Sequence, residues 1–564
     1  MATARRDGTL DAEEGSLGPR LLPLVLLLGC APAPDDDAVR DSTADDSGVD
    51  SPSDTDQPVD TGPRKLLHRL DASTWRRSVR DLLFLDTLPQ VALAPDPTIA
   101  SFDHLLEGLA LTPLHLELYD HAIHALLSPL AEASHPSWAR LLDCDPVEPT
   151  CREAALGRFA SRAWRRPVTA EETARLADFA TEAITAGAAP HEAVLDALSA
   201  VLTSPGFLFR IEQYGVVDDE PVDAWELASR MAFFLWKSLP DDALRADAAT
   251  GDLLDPAVRD AHVRRMLADP RAQALTDDFA GQWLEIRALE DARPEHSLFP
   301  AYDLDLRNRR KEAIRADLAW RFEEALGADA PVADLFRGNT ALVDPVLAPL
   351  YGLSMPAGSP PSVRALPPQR NGGWLTSAGW LIVTSKVART SPTRRGKWIR
   401  ERLFCAPPSA PPPGVDSFPP ELVDLDLSTI RAAIEFLTKA PDCQACHGKT
   451  DPYGFAFEQF SHAGVWGLAQ DGGVVDVEVT LPTGEHVTGA NAVADIVADD
   501  PRIPGCFVEY ATTYALGRRA PQEAVDAVLD EVEASGAPLA TTFERIVATP
   551  WFSTRVPAPD EEAR

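Results

Sequence analysis

Methionine is scarce in this chain: 564 residues hold only Met1, Met231, Met266 and Met355. All four precede the one cysteine motif that carries chemistry, so none can serve as a metal ligand downstream of it. Basic residues are few as well. Lys and Arg number 52 against 87 Asp and Glu, a formal charge of −35. That excess excludes a nucleic-acid partner, whose phosphates require a positive surface. No apolar run approaches the roughly 20 residues of a membrane span. There is no G-x-S-x-G, H-E-x-x-H, phosphate-binding loop or dinucleotide fingerprint. A second C-x-x-C is missing too, which removes the usual structural zinc site.

The amino-terminal part of the sequence carries an address. Leu21 to Leu28 is a short apolar run interrupted by Pro23, and it ends in Leu27-Leu28-Gly29-Cys30. This resembles a bacterial lipoprotein signal over residues 1–29, with Cys30 as the lipid-bearing thiol. Asp7, Asp11, Glu13 and Glu14 precede the run where basic residues are expected; a start site further downstream, leaving Arg20, accounts for them. From Ala31 to Pro63 there are ten Asp, one Arg and no aromatic residue. Such a segment buries too little apolar surface to offset chain entropy, so 30–63 reads as a disordered acidic tether. Ala31 after the cysteine, rather than Asp, resembles lipoproteins sorted to an outer membrane. The expected location is therefore the outer membrane, at its periplasmic face or on the cell surface, held through the lipid alone.

Beyond Leu66 the period is helical. Leu227, Met231, Phe234 and Leu235 share one helix stripe, as do Val525, Val528, Leu529 and Val532 after Pro521. Thr169 with Glu172 reads as a capping box. Ser428 caps a helix carrying Ile430, Ile434 and Leu437, with Pro441 terminating it. Alternation of Val475, Val477, Val479 and Leu481, then Pro482-Thr483-Gly484 and Val487, predicts one small hairpin. The fold class is mainly α and multidomain, with that late hairpin and a cytochrome-c-like haem segment. Clusters of Pro, Gly and Asp place helical domains at 64–135, 144–214 and 221–355. A haem-attachment domain follows at 371–470, and a hairpin with a C-terminal helical domain at 471–555. Pro407-Pro408, Pro411-Pro412-Pro413 and Pro419-Pro420 form a stiff connector.

Cys443-Gln444-Ala445-Cys446-His447 is C-x-x-C-H, the attachment pattern of c-type haem. Two thiols three positions apart on a helical turn can both form thioethers, and the adjacent His447 supplies the axial imidazole. Export strengthens the reading, because such haem is attached outside the bacterial cytoplasm. A Cys443–Cys446 disulfide and a redox dithiol are the competing assignments. Setting Cys30, Cys443 and Cys446 aside leaves four of the seven cysteines, which should pair in an oxidising compartment. Of three connectivities, the short loop closed by Cys144 and Cys151 is favoured, which leaves Cys405 with Cys506. Buried free thiols are the alternative for that last pair.

The sixth iron ligand stays open among His462, His486, Lys386, an upstream methionine and a vacant position. From Lys386 to Arg402 run seven cations, opposed only by Glu401. Such a run is a solvated helix face or, at Arg389 and Arg394, a clamp for haem propionates.

These residues together resemble the planctomycete- and myxobacterial-type cytochrome-like proteins, the DUF1592/DUF1588 multidomain family. Arg69-Leu70 with Trp75, Arg165-Arg166-Pro167 and Ser204-Pro205-Gly206-Phe207-Leu208 carry the resemblance early in the chain. Phe234-Leu235-Trp236, Gln282-Trp283-Leu284 and Arg395-Gly396-Lys397-Trp398 carry it in the middle. The haem motif with Asp451-Pro452 and Gly454-Phe455, and then Tyr514-Ala515-Leu516-Gly517-Arg518, carry it late. The resemblance implies a secreted, helical, haem-bearing protein of unknown activity. Relatives often place Met or Ile at the position of Thr450 and His at that of Lys386.

The function expected is an exported, lipid-anchored haem protein with one covalent haem c, acting in electron transfer or as a redox subunit with a protein redox partner. The large mass of residues 66–370 supports a second expectation, a haem enzyme of peroxidase or oxidase type acting on an extracellular or polysaccharide-linked substrate. A non-haem surface-binding scaffold is the third.

Overall fold

A computed structural model describes residues 65–556, apart from 133, 216–219, 293–303, 388, 410–429, 440 and 468–474. Cys30, the signal segment, the acidic tether, Met1, the Ser428 cap and most of the proline connector therefore lie outside the described residues.

The chain starts its described path as strand β1 (Lys65–Arg69) and helix α1 (Ala72–Leu83). Asp71 caps α1 by accepting from the Ser73 and Thr74 amides. Four more helices follow: α2 (Pro113–Leu127), α3 (Pro149–Ala163), α4 (Ala170–Thr185) and α5 (Pro190–Thr203). Proline opens α2, α3 and α5, where its missing amide costs nothing. The Thr169–Glu172 capping box at α4 is present in both directions. Trp75, Ile123, Leu156, Ala160, Leu198 and Phe207 fill the core these helices share.

Strand β2 (Phe209–Gln213) then returns to pair antiparallel with β1, Lys65 opposite Gln213 and Arg69 opposite Phe209. Helix α6 (Ala224–Trp236) belongs to both halves of the interior. Its Phe233 packs in the first core; Leu227, Met231, Phe234 and Leu235 pack in a second. That second core draws on residues from Phe102 to Phe552. It includes Ala341 and Val343 of β3 (Thr340–Val343), which pairs with the more exposed β4 (Ser362–Ala365). Helix α7 (Pro392–Arg402), α8 (Ile430–Leu437) and α9 (Pro441–Phe455) come next. The hairpin β5 (Glu478–Thr480) and β6 (His486–Thr488) precedes α10 (Arg502–Leu516), α11 (Gln522–Val532) and α12 (Leu539–Ala548).

The protein is thus mainly α, with three two-stranded antiparallel sheets among the described residues. Two expectations need correction. The hairpin has strands of three residues, and two further sheets accompany it. β1 and β2 lie more than a hundred residues apart, and no alternation announces them. Pro441 does not close α8; it is the first residue of α9, the position where proline suits a helix.

The C-terminal segment closes over α6. Arg230 donates to the carbonyls of Phe552 (2.7 Å) and Thr554 (2.8 Å), and the Gly215 amide to that of Val556 (2.9 Å). No helix among the described residues is long and apolar enough to cross a membrane.

Candidate haem-attachment site

Helix α9 carries Cys443, Cys446 and His447 within a little over one turn, at i, i+3 and i+4. That spacing puts all three on one side of a helix. Both cysteines are free thiols of intermediate exposure. The other four cysteines are joined, Cys144 to Cys151 and Cys405 to Cys506.

Two glycines set the helix in place. A Cβ on Gly396 of α7 would lie 1.9 Å from the Thr450 carbonyl oxygen, and one on Gly454 of α9 would lie 1.9 Å from that of Pro392. Only glycine allows two helix backbones to approach so closely. Arg400 donates to Thr450 Oγ1 (3.2 Å), and that hydroxyl donates to the Cys446 carbonyl (3.1 Å). Deeper on α7, Arg395 is fully buried, paired with Glu458 at 3.1 Å and donating to the Phe457 carbonyl at 2.8 Å. The disulfide from Cys405 to Cys506 fastens the end of α7 to α10.

His447 Nδ1 lies 2.8 Å from Asp451 Oδ2, one turn along α9. That hydrogen bond raises the imidazole's pKa above its ordinary value, with burial opposing it. Asp451 is itself buried, and its Oδ1 has no hydrogen-bond partner among the described residues. Beside them opens a cavity of about 400 Å³. His447, Asp451 and Phe455 form one wall, Arg431 and Glu435 of α8 another, and Val479 of β5 a third. Arg431 is braced there by Glu435 (2.8 Å) and Asp476 (3.1 Å).

These features suit a covalent haem. Two unpaired thiols share a side with an imidazole whose Nδ1 is engaged, which leaves Nε2 for iron. Asp451, the partner of that Nδ1, lines the cavity beside it.

Other residues expected at the site lie elsewhere. Lys386, Arg389, Arg394 and His462 line a separate cavity of about 640 Å³, which shares no lining residue with the first. Arg394 donates to the Ser385 carbonyl there (3.0 Å). The structure therefore does not bring Arg389 and Arg394 to His447; the cation lining the His447 cavity is Arg431. Met231 and Met266 are fully buried in the second core. His486, two-thirds exposed, sits opposite Thr480, its Nδ1 3.2 Å from that hydroxyl.

Sequence reasoning missed a second polar centre. Lys237 Nζ pairs with Asp71 Oδ2 at 3.0 Å, both buried. His68 Nε2 donates to the His104 carbonyl (2.8 Å) and Nδ1 accepts from Arg210 (3.1 Å). His104 Nε2 donates to the Tyr514 carbonyl (2.9 Å). These groups line a small space of about 30 Å³, enough to admit water. His104 Nδ1 and the Tyr514 hydroxyl have no hydrogen-bond partner among the described residues. The signal was available: the Arg69-Leu70 and Tyr514–Arg518 motifs meet here.

The family comparisons fall on this frame. Residues 222–353 match PSD4, a protein of unknown function (DUF1592), and 371–470 match PSCyt3, likewise of unknown function (DUF1588). The chain belongs to the DUF1592/DUF1588 multidomain family. In this DUF1592/DUF1588 protein, residues 151–212 further match PSD5 (DUF1595) and 68–131 match PSD3 (DUF1587). The name PSCyt3 is that of a cytochrome-like domain, and Cys443, Cys446 and His447 fall within its span. No curated protein and no solved structure matches the chain.

Proposed function

We propose that the protein is an exported c-type haem protein acting in redox chemistry, with one haem bound through Cys443 and Cys446 and an axial imidazole from His447. The observation that carries this reading is the side of α9 just described. Two free thiols share a side of α9 with a carboxylate-braced imidazole, and that imidazole lines a cavity of about 400 Å³, inside a cytochrome-like domain. When bound, the haem supplies one-electron exchange at iron. The chain's own part is to hold His447 in one orientation, to shelter one side of the site with Phe455 and Val479, and to offer Arg431 as a charge partner for a propionate. Export and lipid attachment at Cys30 complete the proposal, placing the body at the outer membrane with a protein redox partner.

A haem enzyme is the second reading, and one observation favours it. Among the described residues lining the cavity there is no second histidine, no methionine and no lysine. A haem held by His447 without a second protein ligand would be open to an outside molecule, which suits chemistry on a substrate.

The test is expression in a host proficient in cytochrome maturation, followed by a pyridine haemochrome spectrum and intact mass under reduction. Covalent haem lost on Cys443→Ser with Cys446→Ser is the expected result. A colourless protein with two titratable thiols would end the reading. Cyanide binding by the as-isolated ferric protein separates the enzyme from the carrier.

A further inference from the structure

We propose that Asp451 is a positioning residue for the haem, setting how strongly the His447 imidazole donates to iron; this rests on the haem reading above. The Asp451-Pro452 step with Gly454-Phe455 stands out in the sequence without an assigned role, and the structure gives it one.

Asp451 lies four residues after His447, so α9 itself holds the pair together. Its Oδ2 is 2.8 Å from His447 Nδ1. Its Oδ1 is buried and unpartnered, so the imidazole is the hydrogen-bond partner its carboxylate has among the described side chains. The flanking residues are fixed to α7. Thr450 presses its carbonyl on Gly396, and Gly454 sits against the carbonyl of Pro392. Pro452 lacks the amide that would bond the Gly448 carbonyl, which frees this turn from the regular ladder. Asp451 is thus held between two backbone contacts, with little freedom to swing away from His447.

A carboxylate on the remote nitrogen orients a ligating imidazole and raises its basicity. A more basic axial ligand favours the ferric form over the ferrous. Asp451 therefore biases the centre toward a low reduction potential, and keeps Nε2 as the free nitrogen by holding the proton on Nδ1.

The experiment uses the full-length haem-loaded protein and the variants Asp451→Asn and Asp451→Glu, with Glu523→Gln as a charge control. Covalent haem is measured first in every sample. Its absence from the unmodified protein overturns the haem reading and this inference with it. With haem present, Asp451→Asn should move the midpoint potential upward and lower the ferrous iron–imidazole stretching frequency. Asp451→Glu should stay nearer the unmodified value, and the control should not move. An unchanged potential and stretch in Asp451→Asn overturns the assignment while leaving the haem reading intact. If Asp451→Asn does not fold, the unmodified protein decides. The His447 Nδ1 proton should appear as a slowly exchanging resonance, and rapid exchange with solvent overturns the proposal.

Discussion

Gly396 and Thr450 touch backbone to backbone: the position a Cβ would take on Gly396 is 1.9 Å from the Thr450 carbonyl oxygen. No flexible side chain can yield there. Gly396→Ala must push α7 and α9 apart, at a cost of about 3 kcal/mol or more. A lowered urea midpoint with an unchanged slope is the expected readout. Gly454→Ala should cost a similar amount. Because both glycines serve one helix contact, the double variant should lose less than the sum.

Lys237 and Asp71 form a buried pair at 3.0 Å. Burial works against the Asp71 charge, and Lys237 overcomes it, holding that carboxyl well below the usual range. Lys237→Met leaves a buried carboxylate without its cation and should destabilise the protein by about 3–5 kcal/mol. Adding Asp71→Asn to that variant should recover part of the loss. A recovery of zero in the double-variant cycle would show that the two residues act separately.

Acid stability should reflect His68 and Glu212. Burial, helped by the Arg210 charge, brings the His68 pKa down to about 3. The unfolded imidazole titrates near its ordinary value of about 6.5. Between these values the unfolded chain binds a proton that the folded one does not, so stability falls as pH falls from about 6.5 toward 3, by up to about 1.4 kcal/mol per pH unit. Burial of Glu212 opposes its charge, but Arg210 and Arg230 hold it down to about 2. Its contribution is present above the unfolded value and is lost as pH drops toward 2. His68→Gln keeps a donor toward His104 and should flatten the upper part of the profile, measured by denaturant unfolding from pH 7 to 4. An unaltered slope refutes the assignment.

The two disulfides should differ in weight. Cys144–Cys151 closes a separation of 7 residues and Cys405–Cys506 one of 101. On the chain-entropy account, losing the short bridge costs about 2.5 kcal/mol and losing the long one about 5 kcal/mol. Paired Cys→Ala variants compared by thermal unfolding test the order.

Much of the helical architecture is legible in the residues, because it rests on local chemistry. Thr169 with Glu172, the prolines at helix starts and the stripe from Leu227 to Leu235 each act within a few positions. The C-x-x-C-H spacing on one side of α9 is legible for the same reason. The β1–β2 and β3–β4 ladders are not, since each strand depends on a partner brought from elsewhere. The same holds for the basic run. Arg395 is sealed inside against Glu458, while Arg394, one residue before, faces a cavity. A string of like charges cannot reveal which member turns inward. Nor could it show that Arg431, outside the run, is the cation beside His447.

Arg230 donates to the carbonyls of Phe552 and Thr554, 322 and 324 residues further along the chain. A ribosome emitting this polypeptide therefore withholds the clasp for α6 until Phe552 and Thr554 have emerged. The second core, which includes Phe552, stays incomplete until then. A chain truncated before Phe552 should be a product that proteases clear, however sound its first five helices are.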